Sequence, residues 1–140
     1  MSPPLDHPSL HLSVLPNDFF VLQLKHNEID DDVLINLTRQ PPERFFSLTR
    51  TVEEVSVVGE VHKELSKRYH DNSGWRCIRI AGPMEFNLTG ILASFTLPLR
   101  EVQVPVFAVS TWNTDYVLVP KDKLEVAVGA LKTDGWTFIS

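Results

Sequence analysis

The chain has 140 residues, 43% of them hydrophobic, which is enough for one core or two small packed units. Its formal charge of −5 and pI near 5.5 argue against non-specific nucleic-acid binding, which needs a basic face, and disfavour anionic membranes for the same reason. The single cysteine, Cys77, excludes an internal disulfide, and no stretch is long and apolar enough to span a bilayer. With neither a basic n-region nor an apolar h-region in Met-Ser-Pro-Pro-Leu-Asp-His, the expected location is cytoplasmic.

Two strands open the chain, Leu10 to Leu15 and Phe19 to Lys25, joined by the turn formers Pro16-Asn17-Asp18. A helix is predicted over Asp30 to Arg39, with Val33, Leu34 and Leu37 on one side, aspartates in its first turn and Pro41-Pro42 after it. The run Asp30-Asp31-Asp32 lacks the further oxygen ligands of a calcium loop and reads as capping and solvated charge. A hairpin follows, from Arg44-Phe45-Phe46-Ser47-Leu48-Thr49 to Val55-Ser56-Val57-Val58, then a short helix from Val61 to Tyr69 and a linker at His70 to Gly74.

Trp75 to Ala81 reads as the next strand, with Cys77 a packed thiol inside it and Arg76 and Arg79 on its opposite faces. A helix from Glu85 to Arg100 carries Leu88, Ile91, Leu92, Phe95 and Leu99 as one apolar stripe, with Gly90 in mid-helix for close packing and Pro98 bending the end. Two apolar runs, Val104 to Val109 and Tyr116 to Val119, flank the polar hinge Ser110 to Asp115 and form a second hairpin with its chemistry at the turn. A helix from Asp122 buries Leu124, Ala127, Val128 and Leu131 and stops at Gly135, and Trp136 to Ile139 closes the pattern as a strand. The order β-α-β-β-α-β is the split βαβ, or ferredoxin-like, unit.

The chain overlays on itself. An offset of 61 places Phe46 on Phe107, Thr49 on Ser110, Glu54 on Asp115 and Val57 on Leu118, and an offset of 56 places Phe20, Leu22 and Leu24 on Arg76, Ile78 and Ile80. Two copies of one α+β unit follow. The first is degenerate, because His26-Asn27-Glu28-Ile29-Asp30 stands where the second copy has Gly82-Pro83.

Arg44-Phe45-Phe46-Ser47-Leu48-Thr49, Gly82-Pro83, Leu88-Thr89-Gly90-Ile91-Leu92-Ala93, Pro98-Leu99 and the string Val109 to Val119 together resemble the tandem ACT-domain proteins, aspartate-kinase-like modules related to the cytosolic arginine sensors of the CASTOR type. The resemblance implies an α+β fold of two tandem ferredoxin-like (βαββαβ) ACT domains with an extra N-terminal strand, a degenerate first domain over 10–70 and a second over 71–140. It implies a non-catalytic regulatory protein that binds a free amino acid, arginine or another small one, at a domain interface. On this chain the ligand-contacting positions would be Ala81, Gly82, Pro83 and Met84, then Ser110, Thr111, Asn113, Thr114 and Asp115, with Asp115 the ligand's acid. The physics agrees: the Gly82 to Phe86 turn, Phe86 included in the site, enters a helix whose unpaired N–H groups favour a carboxylate, and Asp115 suits an ammonium.

No cofactor or metal is expected, since none of the five histidines is spaced with cysteine or acid as a ligand set. A homodimer is expected, closing open sheet edges, together with a regulated protein partner. Two other classes stand beside this one. A ligand-free interaction module on the same fold suits Ala81 and Met84, which offer no polar side chains. An acyl phosphate hydrolase would need an arginine in the anion loop, and Gly82 to Phe86 has none.

Overall fold

The computed structural model describes residues 7–83 and 90–139, the side chains of Asn36 and Leu37 excepted. Its elements, in chain order, are β1 (Leu12–Val14), β2 (Phe19–Leu24), α1 (Asp31–Thr38), β3 (Phe46–Arg50), β4 (Val55–Glu60), α2 (Lys67–Asp71), β5 (Trp75–Ile80), α3 (Ile91–Glu101), β6 (Phe107–Ser110), β7 (Asp115–Pro120) and α4 (Leu124–Thr133). Short 3-10 turns precede β1, α1 and α4. Two compact units result, Asn17–Trp75 and the combination of Met1–Pro16 with Arg76–Ser140 in their described residues. Among these residues no helix is long and apolar enough to cross a membrane, and no group of three or more His, Cys, Asp or Glu side chains could hold a metal.

In the unit formed by 17–75, β3 pairs with β4 and β4 with β2, both antiparallel, and Phe19 of β2 pairs with Trp75. This is a β-α-β-β-α-β order with the last strand cut to one residue. The core is Phe20, Leu22, Leu24, Val33, Val55, Val57, Leu65 and Tyr69, with Phe20 and Tyr69 edge to face at 5.0 Å between centroids. Asp30 caps α1 by accepting from the Val33 N–H, which explains the acid run at its start. Leu34, predicted on the buried side, is exposed, while Leu37 lies outside the described side chains. The predicted Val61 to Tyr69 helix is a turn that becomes helical only at Lys67.

His62 sits in that turn. Burial, and secondarily the Arg44 guanidinium, hold its imidazole below its ordinary value of 6.5. The unfolded chain therefore binds the proton more readily, so stability from this group is complete above the unfolded value and is lost as pH falls below it. Urea midpoints measured from about pH 7 to pH 5 are expected to fall less steeply in His62→Gln than in the wild type.

In the other unit the strands run β1, β5, β7, β6, with α3 and α4 covering one face. The expected hairpin of the first two strands does not form. β1 lies antiparallel to β5, Leu12 opposite Ile80 and Val14 opposite Ile78, and its other edge meets the closing segment through a parallel bridge from Leu12 to Phe138. The predicted closing strand Trp136 to Ile139 is therefore that one bridge, flanked by Leu12 N–H to Thr137 O at 2.8 Å and Ile139 N–H to Leu12 O at 2.7 Å. Leu10, Leu12, Ile78, Ile80, Phe95, Leu99, Val117, Val119, Leu131 and Trp136 are core, with Phe95 edge to face on Trp136 at 5.4 Å.

Part of the predicted helix, residues 85–89, lies outside the described residues; α3 starts at Ile91. Gly90 is its N-cap at φ +75 rather than a mid-helix packing glycine, and nothing lies within 4 Å of where a Cβ would be. Glycine is there for its left-handed backbone.

Candidate functional site

β6 and β7 are joined by a tight turn, with Ser110 opposite Asp115 in the last pair of the ladder. Thr111 donates its N–H to the Thr114 carbonyl at 2.8 Å and its hydroxyl to the same oxygen at 3.1 Å, while its Oγ1 accepts from the Thr114 N–H at 3.3 Å. The hydroxyl thus replaces backbone partners that a turn would otherwise leave to water. Thr114 then turns its own Oγ1 inward and donates to the Ile80 carbonyl at 2.8 Å, which fastens the turn to the end of β5.

The residue two beyond Ile80 is Gly82, and the same contact brings it against the turn. With φ +66 its backbone is left-handed, and a Cβ there would lie 3.0 Å from Thr114 Cβ and 3.1 Å from the Asn113 carbonyl. The segment is held from the other side as well: Ala81 N–H donates to His11 O and Gly82 N–H to Ser9 O, each at 2.8 Å, and Arg79 Nη2 donates to Ala81 O at 3.3 Å. A cis peptide joins Gly82 to Pro83.

Asp115 shares its strand face with Val117 and Val119, which belong to the core beneath the helices. The residue is consequently drawn under the sheet surface, 7% exposed, and its carboxylate accepts from Ser110 Oγ at 2.5 Å. Thr114, 1% exposed, and Asp115 are the buried polar side chains among the described residues, and they are neighbours in this one turn. Trp112 stands out from the tip, 86% exposed.

Of the residues singled out in the sequence, Gly82, Asn113 and Thr114 are thus in contact, Ser110 is joined to Asp115, and Thr111 to Thr114. Ala81 is tied to His11 and Pro83 follows it at the surface. Met84 and Phe86 lie outside the described residues. Sequence reasoning missed Ser9 and His11, whose carbonyls take the N–H groups of Gly82 and Ala81; these long-range backbone bonds leave no local signal. They also matter chemically, because two donors of the loop are already used within the chain and Pro83 has none.

An open groove of about 920 Å³ lies apart from this turn between α3 and the start of β6, lined in part by Leu97, Arg100, Val104, Val106 and Lys123. It includes no buried polar side chain, whereas the turn combines a buried acid, a close backbone approach and a fixed loop.

Comparison with known proteins bears on the fold and the family. The family model of the ACT domain matches residues 72–133. The rat protein named cytosolic arginine sensor for mTORC1 subunit 1 is 39% identical over 59 residues, covering 41% of this chain and 18% of that protein. Its human counterpart is 36% identical over 59 residues with the same shares, so the matched stretch spans less than a fifth of these relatives. Among solved structures, a protein from Agobacterium tumefaciens has a TM-score of 0.74 at 27% identity, over 92% of this chain and 91% of that one. The aspartokinase alpha and beta subunits have the same fold, with a TM-score of 0.60 at 10% identity over 89% of this chain and 96% of that one. The chain is an α+β protein of two tandem ferredoxin-like units with an added N-terminal strand, and its residues 72–133 match the ACT domain.

Proposed function

We propose that this protein is a non-catalytic regulatory module that binds a free amino acid in its second ACT domain, between the Gly82-Pro83 loop and the Ser110 to Asp115 turn. The observation that carries the reading is the burial of Asp115. A carboxylate withdrawn from water needs compensating donors, and the Ser110 hydroxyl is one of them. An ammonium or a basic side chain supplies another, by a charge-assisted hydrogen bond. The cytosolic arginine sensors similar to this chain support arginine or another small amino acid as the ligand. A cytoplasmic location, domain boundaries at 10–70 and 71–140, and a homodimer in which a second copy covers the site complete the proposal, with a regulated protein as the output.

A second reading has its own support. Trp112, held out at the tip of the turn, is suited to a protein interface, and a ligand-free interaction module would use it without Asp115.

A thermal-shift screen of the twenty amino acids tests the proposal. A ligand that binds only the native state at a hundredfold excess over its Kd adds roughly 2.7 kcal/mol. In a chain of this length, a rise in melting temperature of several degrees with one or two amino acids is expected. No response to any of them would leave the interaction module as the better account. Sedimentation equilibrium with the responding amino acid present is expected to give twice the chain mass, and a monomer would overturn the homodimer.

A further inference from the structure

The helical layer over β5 to β7 stops short of the sheet's edge. Val117 is fully buried in the core beneath α3 and α4, and Ala108, opposite it in the β6–β7 ladder and so on the same face of the sheet, is exposed. β6 is the last strand of this unit's sheet, and among the described residues nothing covers its helix side at Ala108. The groove of about 920 Å³ opens along the same margin, between α3 and the residues that lead into β6.

α3 is patterned for two neighbours. Ile91, Phe95 and Leu99, four apart, are buried in the core. Ala93, Thr96, Leu97 and Arg100, at i, i+3, i+4 and i+7, make a second stripe that lines the groove. Leu97 is 49% exposed and Val106, across the groove, 36%, so an apolar stripe at helical spacing lies open to water.

Charge is sorted about the same helix. The charged residues lining this groove are Arg100 and Lys123, with no acid beside them, and Lys123 Nζ donates to the Gln103 carbonyl at 3.5 Å. On the other side of α3, the groove shared with α4 is lined by Glu101, Glu125 and Asp134 and by no base. In a chain of formal charge −5 the basic groove is a local exception, and among the described residues neither Arg100 nor Lys123 pairs with a carboxylate.

We infer that this groove seats an acidic amphipathic helix of the regulated protein partner, laid beside α3 over β6. Its apolar stripe meets Leu97 and Val106, and glutamates or aspartates flanking that stripe meet Arg100 and Lys123. A helix is the occupant because the open surface is a sheet face next to a helix, which another helix covers at about 8–10 Å between axes. An extended peptide would add to the edge of β6 and leave that face bare. The inference rests on the regulated partner of the proposed function and adds the place and chemistry of its docking.

The test is an NMR titration of the full chain, without amino acid, against two synthetic helical peptides of roughly 15 residues, long enough to hold helix alone. Both carry leucines at i, i+3, i+4 and i+7; one is flanked by glutamates and its isomer by lysines. Saturable amide shifts at 93–106 are expected with the glutamate peptide and not with the lysine peptide. Arg100→Glu combined with Lys123→Glu is expected to weaken the glutamate peptide at least about tenfold and to admit the lysine peptide. Leu97→Asp, at an exposed position that the fold tolerates, is expected to weaken the glutamate peptide. Glu125→Lys, which places a positive charge in the other groove, is expected to change its affinity less than about twofold. No saturable shift at 93–106, equal binding of both peptides, or an equal response to Glu125→Lys and to the double reversal would overturn the inference. Shifts at 93–106 that grow with protein concentration alone would also overturn it, by placing a second copy of this chain in the groove. The amino-acid screen reads the turn and this titration reads α3, so failure of either leaves the other standing.

Discussion

Asp115→Val is expected to abolish ligand-dependent stabilisation while leaving the ligand-free protein at least as stable as the wild type. The first unit shows that a valine fits, because Val55, opposite Arg50 in the last ladder pair as Asp115 is opposite Ser110, is fully buried. Asp115 is 7% exposed, and burying a carboxylate carries a desolvation cost that its bond from the Ser110 hydroxyl works to offset. Replacing it with an apolar side chain removes that cost, and Ser110, at the last ladder pair beside an exposed turn, can bond to water instead. With ligand, the balance reverses. Losing the acid removes a charge-assisted bond and leaves the ligand's cation facing a methyl group, for an affinity loss of about a hundredfold, or roughly 2.7 kcal/mol. Paired thermal-shift and calorimetric titrations of the two proteins check both halves. An undiminished ligand response in Asp115→Val would remove Asp115 from the site. A marked loss of ligand-free stability would instead make its bond to Ser110 a structural element of the turn.

How far the sequence revealed this arrangement depended on whether the governing interactions were local. The β6–β7 hairpin was legible because its strands are dense in β-branched residues and its turn in hydroxyls, and the loop at Gly82-Pro83 stood out by composition. The apolar stripes of α3 and α4 were read from period alone, and Phe95, Leu99, Ala127 and Leu131 are indeed buried. The partner of β1 could not be read. Pro16-Asn17-Asp18 carries every local sign of a hairpin turn, and Asn17 does adopt a positive φ of 77, but the strand before it pairs with β5, more than sixty residues away. Local turn chemistry allows the chain to reverse without saying which edge receives it. Thr51 makes with Glu54 the three bonds that Thr111 makes with Thr114, so the repeat offset is 60, one less than the 61 read from the sequence, and this slip has a related cause. Val57, Val58 and Gly59, like Val117, Leu118 and Val119, are all buried, so the alternation that normally fixes a register is missing and offsets of 60 and 61 both match apolar to apolar. The hydrogen bonds of the threonine turns decide between them. Asp115 was readable as an acid in a turn, but its burial was not, since that follows from its sharing a face with Val117 and Val119.

Gly82→Ala is expected to cost about 2–4 kcal/mol and to disturb the turn, whereas Gly90→Ala should cost only about 1–2 kcal/mol and leave the turn alone. The two glycines have nearly the same left-handed backbone, φ +66 and φ +75, so the conformational part of the penalty is common to both. They differ in what a methyl group would meet. At Gly90 there is nothing within 4 Å, while at Gly82 the new carbon would sit 3.0 Å from Thr114 Cβ and 3.1 Å from the Asn113 carbonyl. Neither neighbour can step aside, because Thr114 is anchored to the Ile80 carbonyl and Asn113 lies within the closed turn between Thr111 and Thr114. The loop cannot withdraw either, with Ala81 and Gly82 bonded to His11 and Ser9. Something must yield, and either the Thr114 bond or the N-terminal staple is the weakest link. Urea denaturation of both variants measures the difference, and amide shifts at 111–115 report whether the turn has moved. Equal costs at the two positions would mean that Gly82 is required for its dihedral angles alone and that the close approach of loop and turn does not constrain the site.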